Sequence, residues 1–350
     1  MQAQMEARRM EAQIDTRAAA AAGGRQGAAS LMSLGKEFFG RRERIYPWLY
    51  AAGILLGELT VVFNARAGVL VHLLVLGGLL VQTAYLYGKR EAAGAAESAA
   101  AAEIADGAVP GGAAPAERAA SDETASRGAA AGAPVSDETT VREAAARFYL
   151  TLTLAPLIRI LSLSLPLAIF PIMYWYAVVS LPLLVGAAVV AALNGYGRKD
   201  LGLTLGLGRR LNRRSALVQL LIALAGLPLG LAEYFILRPQ PLAAAPDPAV
   251  IWLPALILLV CTGFTEEFIF RGIMQKAAAD FLGWRTALVL VSLIFAALHV
   301  THLSALDVFF VFAVAALFAT AVHRTGSLFG VTLAHGLTNI TMYLIWPFVF

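Results

Sequence analysis

Apolar stretches of membrane-spanning length recur along this 350-residue chain, and short polar segments separate them. They lie at about residues 48–63, 68–87, 148–170, 171–193, 215–237, 250–270, 286–300, 305–322 and 327–350. About 20 consecutive apolar residues are needed for a helix to cross the hydrocarbon core of a bilayer. The pattern therefore predicts an all-α fold: a polytopic integral membrane helical bundle with roughly eight to nine transmembrane helices.

Two polar segments interrupt this pattern and divide the chain. Residues 1–45 are rich in arginine and lack the apolar core that a cleavable secretory signal requires. Residues 88–147 consist mostly of Ala, Gly, Ser, Pro, Glu and Asp, which offer too little apolar surface to fold alone. We therefore predict a basic tail at 1–45, a transmembrane hairpin at 46–87, a disordered linker at 88–147 and a helical bundle at 148–350.

Composition agrees with a membrane protein and argues against nucleic acid as a partner. Hydrophobic residues make up 59% of the chain, charged residues only 14%, and the mean hydropathy is +0.71. The net charge of +4 is modest, and no aromatic residues alternate with the arginines of the tail as in a nucleic-acid-binding surface. The partner that the composition predicts is the lipid bilayer.

Loop charges predict the orientation of the bundle. The loop around residues 198–214 carries six basic residues, whereas the loop at 238–249 carries one arginine. Basic loops stay preferentially in the cytoplasm. We therefore expect this loop, the N-terminus and the linker to be cytoplasmic, together with the basic residues Arg271, Lys276 and Arg285.

The segment TEEFIFRG, residues 265–272, places two carboxylates and an arginine at the end of an apolar run. Each ionisable group in a membrane helix costs roughly 2.5–3.5 kcal/mol, so such groups usually pair or have a function. At about 100° per helical residue, Arg271 lies about 40° from Glu267 around the axis and about 140° from Glu266. Arg271 is therefore expected to pair with Glu267, which leaves Glu266 free to act as a base.

Two later apolar spans carry further polar residues at helical spacing. Phe295 and His299 are four residues apart, as are His335 and Asn339, so each pair shares one face of its helix. A single histidine in a membrane helix is more often a structural group than a functional one. Two histidines, an asparagine and a glutamate on three neighbouring spans instead indicate a shared polar site.

These three motifs resemble those of the CPBP membrane proteases, the family of CAAX prenyl endopeptidases and of bacterial relatives linked to bacteriocin processing and immunity. Its motifs EExxxR, FxxxH and HxxxN are matched by Glu266, Glu267 and Arg271, by Phe295 and His299, and by His335 and Asn339. The resemblance covers about residues 250–347. It implies an intramembrane endopeptidase in which Glu266 and His299 activate a water, while His335 and Asn339 stabilise the oxyanion.

Three alternatives remain beside a cofactor-free protease. Glu266, His299 and His335 could together hold Zn²⁺ and a water, as in zinc hydrolases. The chain could also be a non-catalytic scaffold or immunity protein that keeps the same fold, or a proton relay. For a protease, the expected partner is a peptide or protein substrate, with prenylated or membrane-anchored C-termini as one class.

Six further polar residues lie in or beside apolar spans. We expect Glu58 and His72 to form a polar contact between the two hairpin helices, and Arg159 and Glu233 to be paired or to extend to the membrane surface. We expect His302 to be interfacial and Asp307 to have an interfacial or capping role. The span from Thr286 also raises a difficulty, because at about 1.5 Å per residue His299 would lie roughly 20 Å deep, further in than Glu266. We therefore expect part of residues 273–284 to enter the membrane, or this span to be tilted.

Overall fold

A computed structural model of the protein describes residues 44–106, 137–204 and 213–350. Every regular element in these ranges is a helix, which confirms the predicted all-α fold. The helices are α1 Tyr46–Phe63, α2 Ala65–Asp106, α3 Asp137–Leu152, α4 Leu154–Ser164, α5 Ile172–Leu193, α6 Arg213–Leu224, α7 Gly226–Leu237, α8 Pro248–Leu282, α9 Trp284–Ala297, α10 Ala305–Thr325 and α11 Phe329–Leu344. Short 3₁₀ turns follow α4, α9 and α11.

The helices of the described residues include eight that are long and apolar enough to cross a membrane. Two of these eight are formed jointly, by α3 with α4 and by α6 with α7. The predicted ninth span contains α11, which has only 16 residues. The protein is therefore an integral, multi-pass membrane protein, as the apolar pattern predicts.

The predicted linker differs from the structure at both of its ends. Helix α2 continues past the apolar run to Asp106, and α3 begins at Asp137, so the ends of segment 88–147 are helical. Alanine and glutamate, which are frequent there, are strong helix formers. Residues 107–136 lie outside the described residues, as do residues 1–43 of the predicted tail.

The described residues from 49 to 350 belong to one compact unit. Within this unit, α1 and α2 fold back on each other at Asn64, whose side chain accepts a hydrogen bond from the Ala67 amide at 3.1 Å. A Cβ atom at Gly57 would lie 2.7 Å from His72 Nε2, so only glycine allows the two helices to approach this closely. Helix α2 then packs against α3 and α4.

Helix α11 is central to the C-terminal part of this unit. It packs against α6, α7 and residues 258–264 of α8. At the crossing with α8, a Cβ atom on Gly263 would lie 2.9 Å from the backbone nitrogen of Gly336. Small residues at such crossings allow two backbones to approach closely in a membrane protein. The crossing brings the residues after Gly263 next to those on either side of Gly336.

Helix α8 is longer than predicted, and its length explains how Glu266 and His299 can lie at the same depth in the membrane. It continues to Leu282, and Gly283, with a φ of 79°, turns the chain into α9, which folds back on it. Glu266 lies seventeen residues before Gly283 and His299 sixteen residues after it, so at about 1.5 Å per residue both are about 25 Å from the turn. The predicted end at residue 270 was wrong because Arg271 is buried inside the protein rather than exposed to the cytoplasm.

Candidate active site

The two glutamates of α8 have different surroundings. Glu267 is fully buried, and its Oε1 atom lies 3.0 Å from Nη1 of Arg271, whose side chain is 2% exposed. This is the pair that the spacing predicts. The side chain of Glu266 is 31% exposed and lines a cavity. The neutralised carboxylate is therefore Glu267, and the accessible one is Glu266.

The helix around these glutamates is not a regular α-helix. Residues 258–264 and 268–274 form π-helical turns, and a three-residue α-helical segment, 265–267, separates them. The backbone N–H of Thr265 donates to the carbonyl of Val260, five residues earlier, which is the π-helical pattern, and the Thr265 hydroxyl donates to the same carbonyl at 3.0 Å. Single π turns inside α-helices occur frequently at functional sites.

His335 of α11 joins both glutamates. Its Nδ1 atom lies 2.8 Å from Oε1 of Glu267, and its Nε2 atom lies 3.8 Å from Oε2 of Glu266. A carboxylate can only accept a hydrogen bond, so Nδ1 carries the proton in the contact with Glu267. This contact orients the ring so that Nε2 faces Glu266.

Phe295 of α9 contacts Arg271 and both histidines of the site. The guanidinium carbon of Arg271 lies 4.2 Å from the centre of the Phe295 ring, a cation–π contact. The ring centres of His299 and His335 lie 5.0 Å and 6.2 Å from that of Phe295. The Phe295 carbonyl accepts a hydrogen bond from Nδ1 of His299 at 2.9 Å. Residue 295 therefore orients His299 through its backbone and packs on Arg271 through its ring.

Asn339 lies one helical turn beyond His335, and Thr262 of α8 holds its side chain. The Asn339 Nδ2 atom donates to the Thr262 hydroxyl at 2.8 Å. This contact crosses from α11 to α8 beside the Gly263–Gly336 approach. The second N–H of the same amide group remains for another acceptor.

Glu266, His299, His335 and Asn339 line one cavity of about 130 Å³. A second cavity, of about 370 Å³, is also lined by Glu266, Phe295 and His299. Its other walls come mainly from α4, α5 and α8 and are largely apolar. They include Leu167, Ile172, Trp175, Val179, Leu183 and Ile269. The accessible carboxylate therefore lies where a small cavity with several ionisable side chains in its wall adjoins a larger, mostly apolar one.

Residues 248–341 match the family model described as type II CAAX prenyl endopeptidase, Rce1-like. The chain carries an Rce1-like domain. No curated protein and no solved structure is significantly similar to the chain. The Rce1-like domain includes every motif residue from Glu266 to Asn339, and the resemblance to the CPBP membrane proteases is confirmed. The family that this model describes is one of endopeptidases.

Several residues outside the three motifs also line the two cavities. Glu233 of α7 and His302 line the first cavity, and Arg159 of α4 lines the second. Asp307 is fully buried and holds Nδ1 of His302 at 2.9 Å. The interfacial or capping role predicted for Asp307 is wrong, because Ser304 caps α10 and the Asp307 carboxylate pairs with the histidine. The only sequence signal for this pair was an aspartate five residues after a histidine, at the start of an apolar span.

The zinc alternative stays a prediction. Within residues 44–106, 137–204 and 213–350, no three His, Cys, Asp or Glu side chains are grouped closely enough to hold a metal ion. The Nδ1 atoms of His299 and His335 already bond the Phe295 carbonyl and Glu267. These bonds leave Nε2 of both rings for a metal, as is usual for histidine ligands, so Glu266, His299 and His335 stay the candidate zinc set.

Proposed function

We propose that this protein is an intramembrane endopeptidase in which Glu266 activates a water for attack on a peptide carbonyl. The observation that carries the proposal is the contrast between two adjacent carboxylates. Glu267 is buried and paired with Arg271, whereas Glu266 is accessible at the junction of both cavities. A carboxylate without a guanidinium partner, in a partly desolvated cavity, is a stronger base than one that is neutralised by a guanidinium.

His299 is suited to assist Glu266. Its Nδ1 proton is donated to the Phe295 carbonyl, so in the neutral ring Nε2 carries a lone pair and can accept a hydrogen bond from the water. Glu266 takes a proton from this water as the water oxygen bonds to the peptide carbonyl carbon. The carbonyl oxygen then becomes an oxyanion.

His335 and Asn339 are the proposed donors to this oxyanion. The free N–H of the Asn339 amide can donate directly, because Thr262 occupies the other one. Donation from Nε2 of His335 requires the imidazolium form, and Glu267 and the oxyanion would balance its charge, because Glu266 is protonated at this stage. As the intermediate collapses, the C–N bond breaks and the proton on Glu266 passes to the leaving amine. Each oxyanion donor is worth about 2.7–4 kcal/mol.

The larger cavity suggests the type of substrate. Its walls are mostly apolar, and it adjoins Glu266, so an apolar group near the scissile bond could lie within it. The family name adds prenylated C-terminal peptides as one class of substrate. The loop charges predict that cleavage occurs near the cytoplasmic side.

The test uses the purified full chain and two internally quenched peptides, one with a farnesylated CAAX-type C-terminus and one without the lipid. Wild type should cleave at least the farnesylated peptide, and Glu266→Gln should lower the rate by 100-fold or more, at the order of magnitude of general-base loss. Glu143→Gln, on α3 and paired with Arg147 at 2.6 Å, is the matched control and should retain the rate.

Two results would contradict the proposal. The first is unchanged cleavage by Glu266→Gln. The second is that wild type and Glu266→Gln give the same products, both with the two peptides and in membranes, so that no cleavage depends on Glu266. That second result would favour a non-catalytic scaffold or immunity protein with the same fold. Sensitivity of the wild-type rate to 1,10-phenanthroline would instead favour water activated by zinc.

A further inference from the structure

A buried cluster of charged residues connects the N-terminal hairpin with α4. Glu58 of α1 is fully buried, and its Oε2 atom lies 2.6 Å from Nη2 of Arg159. Its Oε1 atom accepts a hydrogen bond from Nε of Arg159 at 2.9 Å. Nε2 of His72, on α2 and also fully buried, lies 3.3 Å from the same oxygen. The hairpin therefore holds the guanidinium of Arg159 by two contacts.

The Nη2 atom of Arg159 that contacts Glu58 also contacts the chain on either side of His299. Its Nη2 atom donates to the carbonyl of Leu298 at 2.8 Å and to the hydroxyl of Thr301 at 3.3 Å. Leu298 immediately precedes His299, and Thr301 follows it by two residues. The same guanidinium thus bridges the buried carboxylate of the hairpin and the segment that carries His299.

His299 depends on these contacts because it lies just beyond the end of α9. The helix ends at Ala297, a single 3₁₀ turn follows, and Leu303 has a positive φ of 59°. Carbonyl groups at a helix C-terminus have no partner within the helix and must be satisfied by other groups. Arg159 supplies such a donor to Leu298, and its planar guanidinium can bond several acceptors at once.

We propose that Glu58 and Arg159 are positioning residues that hold the 298–302 turn, and with it His299, in the orientation that water activation requires. The N-terminal hairpin, which lies outside the Rce1-like domain, then helps to position a residue of the active site. This inference rests on the proposed role of His299. Burying a carboxylate and a guanidinium adds little net stability compared with apolar residues of similar size, so stability alone does not account for the pair.

The test compares wild type with the double variant Glu58→Gln/Arg159→Met. Arg159→Met alone would leave Glu58 buried without a partner and could prevent folding, whereas the double variant removes both charges together. The matched control is Arg66→Met, at an exposed arginine near the start of α2. Thermal unfolding in detergent should show that both variants are folded.

Hydrogen exchange of the backbone amides in segment 296–304 is the first measurement, and it needs no substrate. Loss of a hydrogen bond to a charged group should speed exchange there about tenfold, while the hairpin itself is little changed. The second measurement is cleavage of the two quenched peptides, where kcat should fall about tenfold and KM should stay the same. A merely structural role would lower the yield of folded protein and leave both values unchanged.

The outcomes separate this inference from the proposed function. Wild-type exchange in segment 296–304 together with a wild-type kcat in the double variant overturns the positioning role. If Glu266→Gln still abolishes cleavage, the proposed function stands in that case. If exchange rises in the double variant but Glu266→Gln cleaves normally, the hairpin holds the turn and the proposed function fails.

Discussion

Replacing Glu267 with glutamine is expected to destabilise the protein, whereas the same change at Glu266 is expected to remove activity and leave the fold intact. The two residues are adjacent and chemically identical, so the difference comes only from their surroundings. Glu267 is fully buried against Arg271, whose side chain is 2% exposed, and it also accepts from His335. Glu266 is 31% exposed, and no arginine or lysine pairs with it among the described residues.

The expected size of the effect follows from these contacts. Removing one partner of a buried ion pair costs about 3–5 kcal/mol, because the remaining charge stays buried without compensation. At about 2–4 °C per kcal/mol for a folded unit of 150–250 residues, the Tm of Glu267→Gln should fall by about 10 °C. The change at Glu266 replaces a partly exposed carboxylate, and its Tm should stay within about 2 °C of wild type.

Thermal unfolding of both variants in the same detergent, together with cleavage of the quenched peptides, provides the measurement. Glu143→Gln serves as a control for loss of a glutamate charge elsewhere. The reasoning is refuted if Glu266→Gln lowers the Tm as much as Glu267→Gln does. It is equally refuted if Glu267→Gln has the Tm of wild type, because Arg271 would then not need its buried partner.

Three further predictions use other parts of the site. Gly263→Ala should destabilise the protein by about 1–3 kcal/mol in thermal unfolding, because its Cβ atom would lie 2.9 Å from the backbone of Gly336, whereas Gly77→Ala, with open space around it, should not. Asn339→Ala should lower kcat about 100-fold with KM little changed, and an equal loss in KM would argue for substrate binding instead. Cys261 is the only cysteine of the chain and lines the larger cavity, so N-ethylmaleimide should inhibit cleavage by wild type; inhibition of Cys261→Ser to the same extent would contradict this placement.

Residue spacing predicted those parts of the site that depend on one helix alone. The pairing of Glu267 with Arg271 follows from a separation of four residues, which places two side chains on one face whether or not the helix is distorted. The shared faces of Phe295 with His299, and of His335 with Asn339, have the same origin. These are local relations, and no tertiary contact is needed to establish them.

The end of α8 and the role of Asp307 could not be inferred in the same way. Arg271 was expected to mark the cytoplasmic end of a span, but Glu267 and Phe295 cover it, so α8 continues to Leu282. The position of Asp307 near the start of an apolar span indicates an interfacial or capping residue. Its burial and its bond to His302 are visible only in the folded chain. In both cases a charged residue was assigned to the membrane surface because its burial in the folded chain was not apparent from residue order.

The sequence by itself determined that the chain is a multi-pass helical membrane protein, which polar groups lie within its apolar spans, and which of them share a helix face. Hydrophobicity, helix geometry and the cost of charge in lipid act along the chain and can be inferred from residue order. Only the tertiary structure decided that His335 lies against both glutamates and that Arg159 connects Glu58 with the turn at His299. Those contacts join residues tens to hundreds of positions apart, and they depend on how closely the helices pack.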